Sequence, residues 1–358
     1  MKIAIIIGTR PEIIKTSPII RECKRRNVPY FILHTNQHYS ENLDKIFFEE
    51  LELPKPKYNL GVGSGTHAQQ TGKILIGAER VLAREKPDVV LVEGDTNTVL
   101  GGALAATKLH IKVGHIEAGL RSYDRKMPEE INRVLVDHCS DFLFAPTKKG
   151  RFILLGEGIP KKKIFITGNT IVDAIYQNLE LARKRAKILG NLNLEKEKYF
   201  LVTAHRQENV DVRGRLEGIM KGLDLVYQNF HLSLIYPIHP RTQRMIKEYG
   251  IKIPKGLEII NPVSFFDFLQ LEANARLVLT DSGGVQEETC VLKVPCVTLR
   301  DNTERPETIE VGSNILVGTN PRKILNGVKK MINKRKEWSN PFGNGKTSET
   351  ILKIILEK

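Results

Sequence analysis

The sequence predicts an α/β protein built from two doubly wound, Rossmann-like halves. Three observations lead there. Short apolar runs rich in Val and Ile alternate with helix-forming stretches, the pattern of parallel strands buried on both faces. The alternation lapses in a polar, Lys-rich stretch over 181–198 and restarts at Tyr199. The 358 residues also exceed the roughly 100–200 that one domain usually takes.

In the first half the expected strands are Lys2–Ile7, Phe31–His34, Pro87–Glu93, Lys112–Ile116, Phe142–Ala145 and Ile164–Ile166. In the second half they are Tyr199–Ala204, Leu232–Tyr236, Leu257–Ile260, Arg276–Thr280 and Pro295–Leu299. Strand, helix, strand repetition means a parallel sheet with helices on both faces. The stretch over 181–198 reads as a connecting helix and loop. Domains are expected at 1–170 and 171–340, with 341–358 a terminal helix that packs back on the first. No internal repeat or low-complexity tract interrupts the pattern.

Composition narrows the function classes. A hydrophobic fraction of 41% and a charged fraction of 27% suit a soluble globular protein. No apolar run approaches the ~18 residues that span a bilayer. Ile3–Ile7 is followed at once by Arg10 and Glu12 rather than by a small-residue cleavage site, so it reads as a strand and not a leader. The four cysteines form no C-x-x-C pair, which suits reduced thiols in the cytoplasm. The net charge of +14 raises the question of an anionic partner. The lysines are scattered, as in Lys161-Lys162-Lys163, and no aromatics interleave with them. That argues for a solvated surface with a few cations kept for a phosphate, and against nucleic acid or a membrane. The nine histidines make no H-E-x-x-H or Cys/His set, so no metal is expected.

Ligands of open α/β sheets bind beyond the carboxyl ends of the strands, so each strand exit is a candidate. The first is Gly8-Thr9-Arg10-Pro11-Glu12, where Gly8 permits a tight turn and Pro11 fits a helix start. Arg10 and Lys15 near a helix N-terminus suit a phosphate, or are merely surface charge. No G-x-G-x-x-G lies there, which argues against a nicotinamide or flavin cofactor. The next exits carry Glu93-Gly94-Asp95-Thr96-Asn97-Thr98 and His115-Ile116-Glu117-Ala118-Gly119-Leu120-Arg121, then Met127-Pro128-Glu129-Glu130. Asp95, Glu117 and Glu129 are the candidate acid/base carboxylates. Against that stand a helix-capping role for Asp95 or Thr96 and a dipole role for Glu129 or Glu130.

In the second half, His205 and Arg206 follow a strand and suit an anionic leaving group. The sharpest signal is Thr280-Asp281-Ser282-Gly283-Gly284-Val285-Gln286-Glu287-Glu288. A Ser-Gly-Gly turn opening a helix lets backbone N–H groups approach a diphosphate, with Glu288 one turn further for ribose hydroxyls. The bland reading is a βα loop with an Asp cap. Arg305, after the next strand, either holds a phosphate or pairs with Glu304 or Glu307.

These motifs, with Pro128-Glu129-Glu130-Ile131-Asn132-Arg133, Thr167-Gly168-Asn169-Thr170 and Arg300-Asp301-Asn302-Thr303-Glu304-Arg305-Pro306-Glu307, resemble those of non-hydrolysing UDP-N-acetylglucosamine 2-epimerases. They come in the family's order and cover nearly the whole chain. The resemblance implies a GT-B-type fold, two Rossmann-like domains with the active site in the cleft between them. It also implies a homodimer that needs no cofactor and interconverts UDP-N-acetylglucosamine and UDP-N-acetylmannosamine. The implied route eliminates UDP to a 2-acetamidoglucal and adds it back. Arg10, Lys15, Asp95, Glu117, Glu129 and His205 fall at catalytic and sugar-diphosphate positions. Ser282, Gly283, Gly284, Glu288 and Arg305 fall at nucleotide positions. Phe268 matches the aromatic near the uracil, and Val263 a backbone contact to the base.

The sequence departs from the bacterial pattern in the short segment 122–127, and at Tyr39, Ser40, Ser64, Gly65 and Gln207. Those five positions line a second, regulatory substrate site in some bacterial members. The rival readings are a hydrolysing epimerase and a GT-B glycosyltransferase.

Overall fold

A computed structural model describes residues 1–37 and 47–358. Tyr39 and Ser40 therefore lie outside the described residues. The chain divides into two compact units, one of residues 1–177 with 342–358 and the other of residues 178–341.

The first unit is a seven-stranded parallel sheet. Its elements in chain order are β1 (Ile3–Ile7), α1 (Arg10–Arg25), β2 (Tyr30–His34), β3 (Tyr58–Asn59), α2 (His67–Glu85), β4 (Val89–Glu93) and α3 (Asn97–Lys108). Then come β5 (Lys112–Ile116), α4 (Pro128–Cys139), β6 (Phe142–Ala145), α5 (Lys148–Gly156), β7 (Ile164–Ile166) and α6 (Thr170–Arg185), in which the division falls. The strand order is β3-β2-β1-β4-β5-β6-β7. All five residues of β1 and of β4 are buried, which is why the strands run apolar without alternation, apart from Glu93 at the end of β4. Each Val, Leu or Ile among them contributes roughly 1.5–3 kcal/mol by leaving water.

The terminal helix Thr347–Glu357 belongs to this unit and packs on α1. Asp173 fastens its start. It accepts from the Ser348 hydroxyl at 2.7 Å and from the Ser348 and Thr347 N–H groups at 2.9 and 3.2 Å.

The second unit is a six-stranded parallel sheet in the order β10-β9-β8-β11-β12-β13. Its elements are β8 (Tyr199–Thr203), α7 (Arg213–Phe230), β9 (Ser233–Pro237), α8 (Pro240–Tyr249), β10 (Leu257–Ile260), α9 (Phe265–Asn274), β11 (Leu277–Thr280) and α10 (Gly283–Leu292). β12 (Cys296–Thr298), α11 (Pro306–Glu310), β13 (Asn314–Leu316) and α12 (Pro321–Met331) complete it. Two Rossmann-like parallel sheets make the fold GT-B-type, as the motifs imply.

Two strands escaped the sequence reading. β3 has two residues, one exposed, and β13 begins on a polar Asn314. Neither is long enough to show a periodicity. In both sheets the strand order reverses beside the first strand, between β1 and β4 and between β8 and β11. Such switch points open a crevice at the strands' carboxyl ends.

Candidate active site

The first polar cluster straddles the β1/β4 switch point. Lys15, buried on α1, places its Nζ 2.5 Å from Glu117 Oε1 and 3.3 Å from Glu93 Oε1. Asn169 Nδ2 donates to the same Glu117 oxygen at 2.7 Å. Glu93 ends β4 and is almost wholly buried. Burial raises its pKa well above the usual range, Lys15 opposes the rise, and Glu117, Glu12 and Asp95 reinforce it. Glu12 bridges the switch point from the other side. Its carboxylate accepts from the Gly8 N–H at 2.5 Å, the Thr9 N–H at 3.2 Å and the Thr96 hydroxyl at 2.5 Å. Burial outweighs these bonds and pushes its pKa to about 7.

Asp95 sits at the rim of this cluster. It is 29% exposed, and Arg133 reaches it with Nε at 2.9 Å and Nη2 at 2.8 Å. Thr96, not Asp95, caps α3, accepting from the Val99 N–H. Arg133 also donates to Glu130 at 2.6 Å, and Glu130 accepts the Ser122 and Tyr123 N–H groups. Glu130 therefore organises the 122–127 loop. Glu129, one residue earlier, is half-buried and makes no hydrogen bond or ion pair among the described residues.

Glu117 has φ +70°, the left-handed region that non-glycine residues rarely occupy. The surroundings hold it there. Asp137, fully enclosed on α4, accepts from His115 Nδ1 at 2.7 Å, Arg121 Nη2 at 2.7 Å and the Gly119 N–H at 3.1 Å. His115 Nε2 meets the Gly94 carbonyl at 2.8 Å. One side chain thus ties the β5 exit to itself and, through His115, to the β4 exit. Gly119 has φ +81°, and a Cβ there would come within 2.4 Å of the Gly150 carbonyl oxygen. Gly8 turns out to serve close approach instead of a turn. A Cβ would lie 2.1 Å from the Thr35 and Thr98 hydroxyls, which bond each other at 2.7 Å. Arg10 stacks on Phe47, 4.7 Å from the ring centroid.

The second cluster straddles the β8/β11 switch point. Asp281, with no exposure, accepts the His205 and Arg206 N–H groups and Asn209 Nδ2, each at 3.0 Å. It fastens the β8 exit and does not cap its own helix; Ser282 stands at the N-cap position just before α10, with no side-chain cap bond. His205 Nδ1 lies 3.5 Å from Asp281, and the side chain is 44% exposed. The two glycines have different grounds. A Cβ at Gly283 would fall 2.3 Å from Glu304 Oε1, whereas at Gly284 it would meet nothing closer than Ser282 Oγ at 3.9 Å. Gly284 leaves the helix mouth open, while Gly283 makes room for a carboxylate.

That carboxylate is surrounded by cations. Glu304 lies 2.8 Å from Arg300 Nη1, 3.6 Å from Arg206 Nη2 and 3.9 Å from Arg305 Nη1. Arg305 is buried and, besides Glu304, pairs with Glu287 at 2.6 Å, an acid not weighed from sequence. Glu288 is half-buried one turn into α10. Val263 and Phe268 are half-buried against the cluster that holds Leu271 and Val285. Gln207, Ser64 and Gly65 are exposed.

Glu93, Arg133, Asp281 and Glu304 went unread as site residues. Glu93 reads as the last residue of a strand, and Arg133 stood only as the last residue of the Pro128–Arg133 motif. The other two looked like a cap and a loop acid. Among the described residues, no group of three or more His, Cys, Asp or Glu side chains is arranged to hold a metal ion.

Two parallel sheets with polar clusters at both switch points define a GT-B-type α/β protein. The UDP-N-acetylglucosamine 2-epimerase family pattern matches residues 21–356, and the chain belongs to that family. It is 59% identical to a UDP-N-acetylglucosamine 2-epimerase of Methanocaldococcus jannaschii, over 99% of each chain. A crystal structure of the M. jannaschii UDP-GlcNAc 2-epimerase in complex with UDP-GlcNAc and UDP superposes with a TM-score of 0.95, at 59% identity and full coverage of both chains. A UDP-2,3-diacetamido-2,3-dideoxy-D-glucuronate 2-epimerase of Pseudomonas aeruginosa is 40% identical over 99% of each chain.

Proposed function

We propose that this protein interconverts UDP-N-acetylglucosamine and UDP-N-acetylmannosamine without hydrolysis. The observation that carries the reading is the cluster of Lys15, Glu93, Asp95 and Glu117 at the carboxyl ends of β4 and β5. The C2 hydrogen of the sugar has no carbonyl beside it on the ring, so direct deprotonation is costly. Elimination avoids that cost. The C1–O bond to UDP breaks, a carboxylate takes the C2 proton, and a C1=C2 double bond forms in a 2-acetamidoglucal. UDP then adds back to C1, and C2 receives a proton on the opposite face.

Asp95, Glu117 and Glu129 supply the acid/base and charge-stabilising groups in this reading. Arg10, Lys15 and His205 stabilise the departing diphosphate. The backbone of Ser282, Gly283 and Gly284 and the Arg305 guanidinium take the phosphates. Glu288 takes the ribose hydroxyls, and Val263 and Phe268 the uracil. The working form is a homodimer, which sedimentation checks.

Incubation with UDP-N-acetylglucosamine in deuterated water, followed by proton NMR, tests the reaction. The mannosamine epimer with deuterium at C2 and no free sugar is expected. Free N-acetylmannosamine would mean a hydrolase, and no turnover without an acceptor a glycosyltransferase. Turnover confined to a 2,3-diacetamido uronate would move the substrate toward that of the P. aeruginosa relative.

A further inference from the structure

Glu272 lies on α9 and has no exposed surface. Neither of its oxygens receives an N–H or O–H donor from an already protonated group. The group it meets is a second carboxyl, that of Glu288 on α10. The other titratable groups near it are the Tyr199 phenol, which donates to the Leu271 carbonyl at 2.5 Å, and the Cys296 thiol. Burial pushes both of those upward, so both stay neutral. Among the described residues no cation offsets the Glu272 charge.

Two carboxyls in contact cannot both ionise cheaply, and one proton between them turns repulsion into a charge-assisted hydrogen bond. The half-buried Glu288 keeps some contact with water, whereas Glu272 has none. The proton therefore belongs on Glu272, which becomes a donor. Burial and the facing carboxylate both raise the Glu272 pKa, in line with this.

We propose that Glu272 is a positioning residue for nucleotide recognition: its carboxylic acid donates to Glu288 and holds that carboxylate for the ribose hydroxyls. The proposal rests on the reading that Glu288 binds the ribose. It explains a buried acid that no cation neutralises. It also links two parts of the nucleotide site. Phe268 stands four residues before Glu272 on α9, on the same face of the helix, and Glu288 follows the Ser-Gly-Gly turn on α10. One hydrogen bond sets the spacing between the uracil contact and the ribose contact.

Calorimetric titration of the whole enzyme with UDP and with 2′,3′-dideoxy-UDP tests this. The parent is expected to prefer UDP by about tenfold or more, the worth of a good hydrogen-bonded pair. Glu272→Gln, which keeps a donor and the shape, is expected to retain that preference. Glu272→Leu, which removes the donor, is expected to lose most of it, with KM for the UDP-sugar rising more than kcat falls. A Glu272→Leu protein that melts like the parent and keeps the full preference overturns the proposal. A parent with no preference overturns the ribose reading and the proposal together. Loss of preference in Glu288→Gln but not in Glu272→Leu overturns only the proposal. If Glu272→Leu does not fold, the parent-minus-Glu272→Gln infrared difference at neutral pH decides. A protonated-carboxyl band supports the assignment, and its absence overturns it.

Discussion

Lys15 and Glu117 are 102 residues apart in sequence, yet their charged atoms lie 2.5 Å apart inside the first unit. Glu93 shares the same ammonium at 3.3 Å. Removing the cation leaves two enclosed carboxyls without their counter-charge. Lys15→Met is therefore expected to cost about 3–5 kcal/mol of stability, read from the denaturant midpoint. Adding Glu93→Gln should recover part of that loss, because one uncompensated acid is gone. If the two changes prove additive, Lys15 does not couple to Glu93.

Glu117→Gln and Asp95→Asn keep the shape of each side chain and remove its charge. Each is expected to lower kcat by about a hundredfold to ten-thousandfold, the usual weight of a positioned acid or base. The deuterium exchange at C2 should fall in parallel. Near-normal turnover in either variant would remove that residue from the chemistry.

Glu12 makes stability depend on pH. Its pKa rises from 4.5 to about 7 on folding, so the folded chain holds the extra proton between those values. Stability from this group is fully present below pH 4.5 and is lost as pH rises through about 7. Glu12→Gln is expected to flatten that part of the melting-temperature profile. The amide oxygen can accept from the Gly8 and Thr9 N–H groups, and its NH2 can donate to the Thr96 hydroxyl. An unchanged slope between pH 4.5 and 7 in the variant would show that Glu12 is ionised throughout.

Asp137 has the opposite sign. Burial would raise its pKa, but His115 and Arg121 overcome that and hold it below the ordinary 3.8. Its contribution is present above pH 3.8 and is lost as pH falls through the lower folded value. Asp137→Ala leaves His115 Nδ1 and the Gly119 N–H without their acceptor and takes one of two carboxylates from Arg121, which keeps Glu157. The expected result is a loss of about 3 kcal/mol or more, together with most of the activity, since the loop that holds Glu117 at φ +70° is released. Circular dichroism melts and turnover measured on the same sample check both parts.

Asp281→Ala should act through the second unit. It strands two backbone donors and the Asn209 amide, at about 1–3 kcal/mol each. A rise in KM for the UDP-sugar is expected as the His205–Arg206 turn loosens. Asp281→Asn keeps an acceptor and should lie between the two.

Much of the architecture is legible without coordinates. Ile3–Ile7 is apolar at every position, and Val89–Glu93 at every position but the last, because both faces of their sheet are covered. The loops after them stand out as abrupt polar insertions. The short edge strands Tyr58–Asn59 and Asn314–Leu316 are not legible, since two or three residues carry no period. Nor is the duty of a polar residue legible from its loop. Asp281 looked like a cap for the helix after it, yet serves the turn after β8. Gly8 looked like a turn residue, yet makes room for two hydroxyls.

The sequence by itself therefore determined the alternation of strands and helices, the two-sheet plan and the family, because these depend on local periodicity and on the order of motifs. Only the tertiary structure decided which charges face each other. The order β2-β1-β4-β5 sets the exits of β1, β4 and β5 side by side, and so brings Lys15 to Glu93 and Glu117. The helices after β10 and β11 likewise bring Glu272 to Glu288. Once those carboxyls are enclosed, desolvation and the nearest partner determine which keep a proton, and neither quantity is carried by the order of residues along a chain.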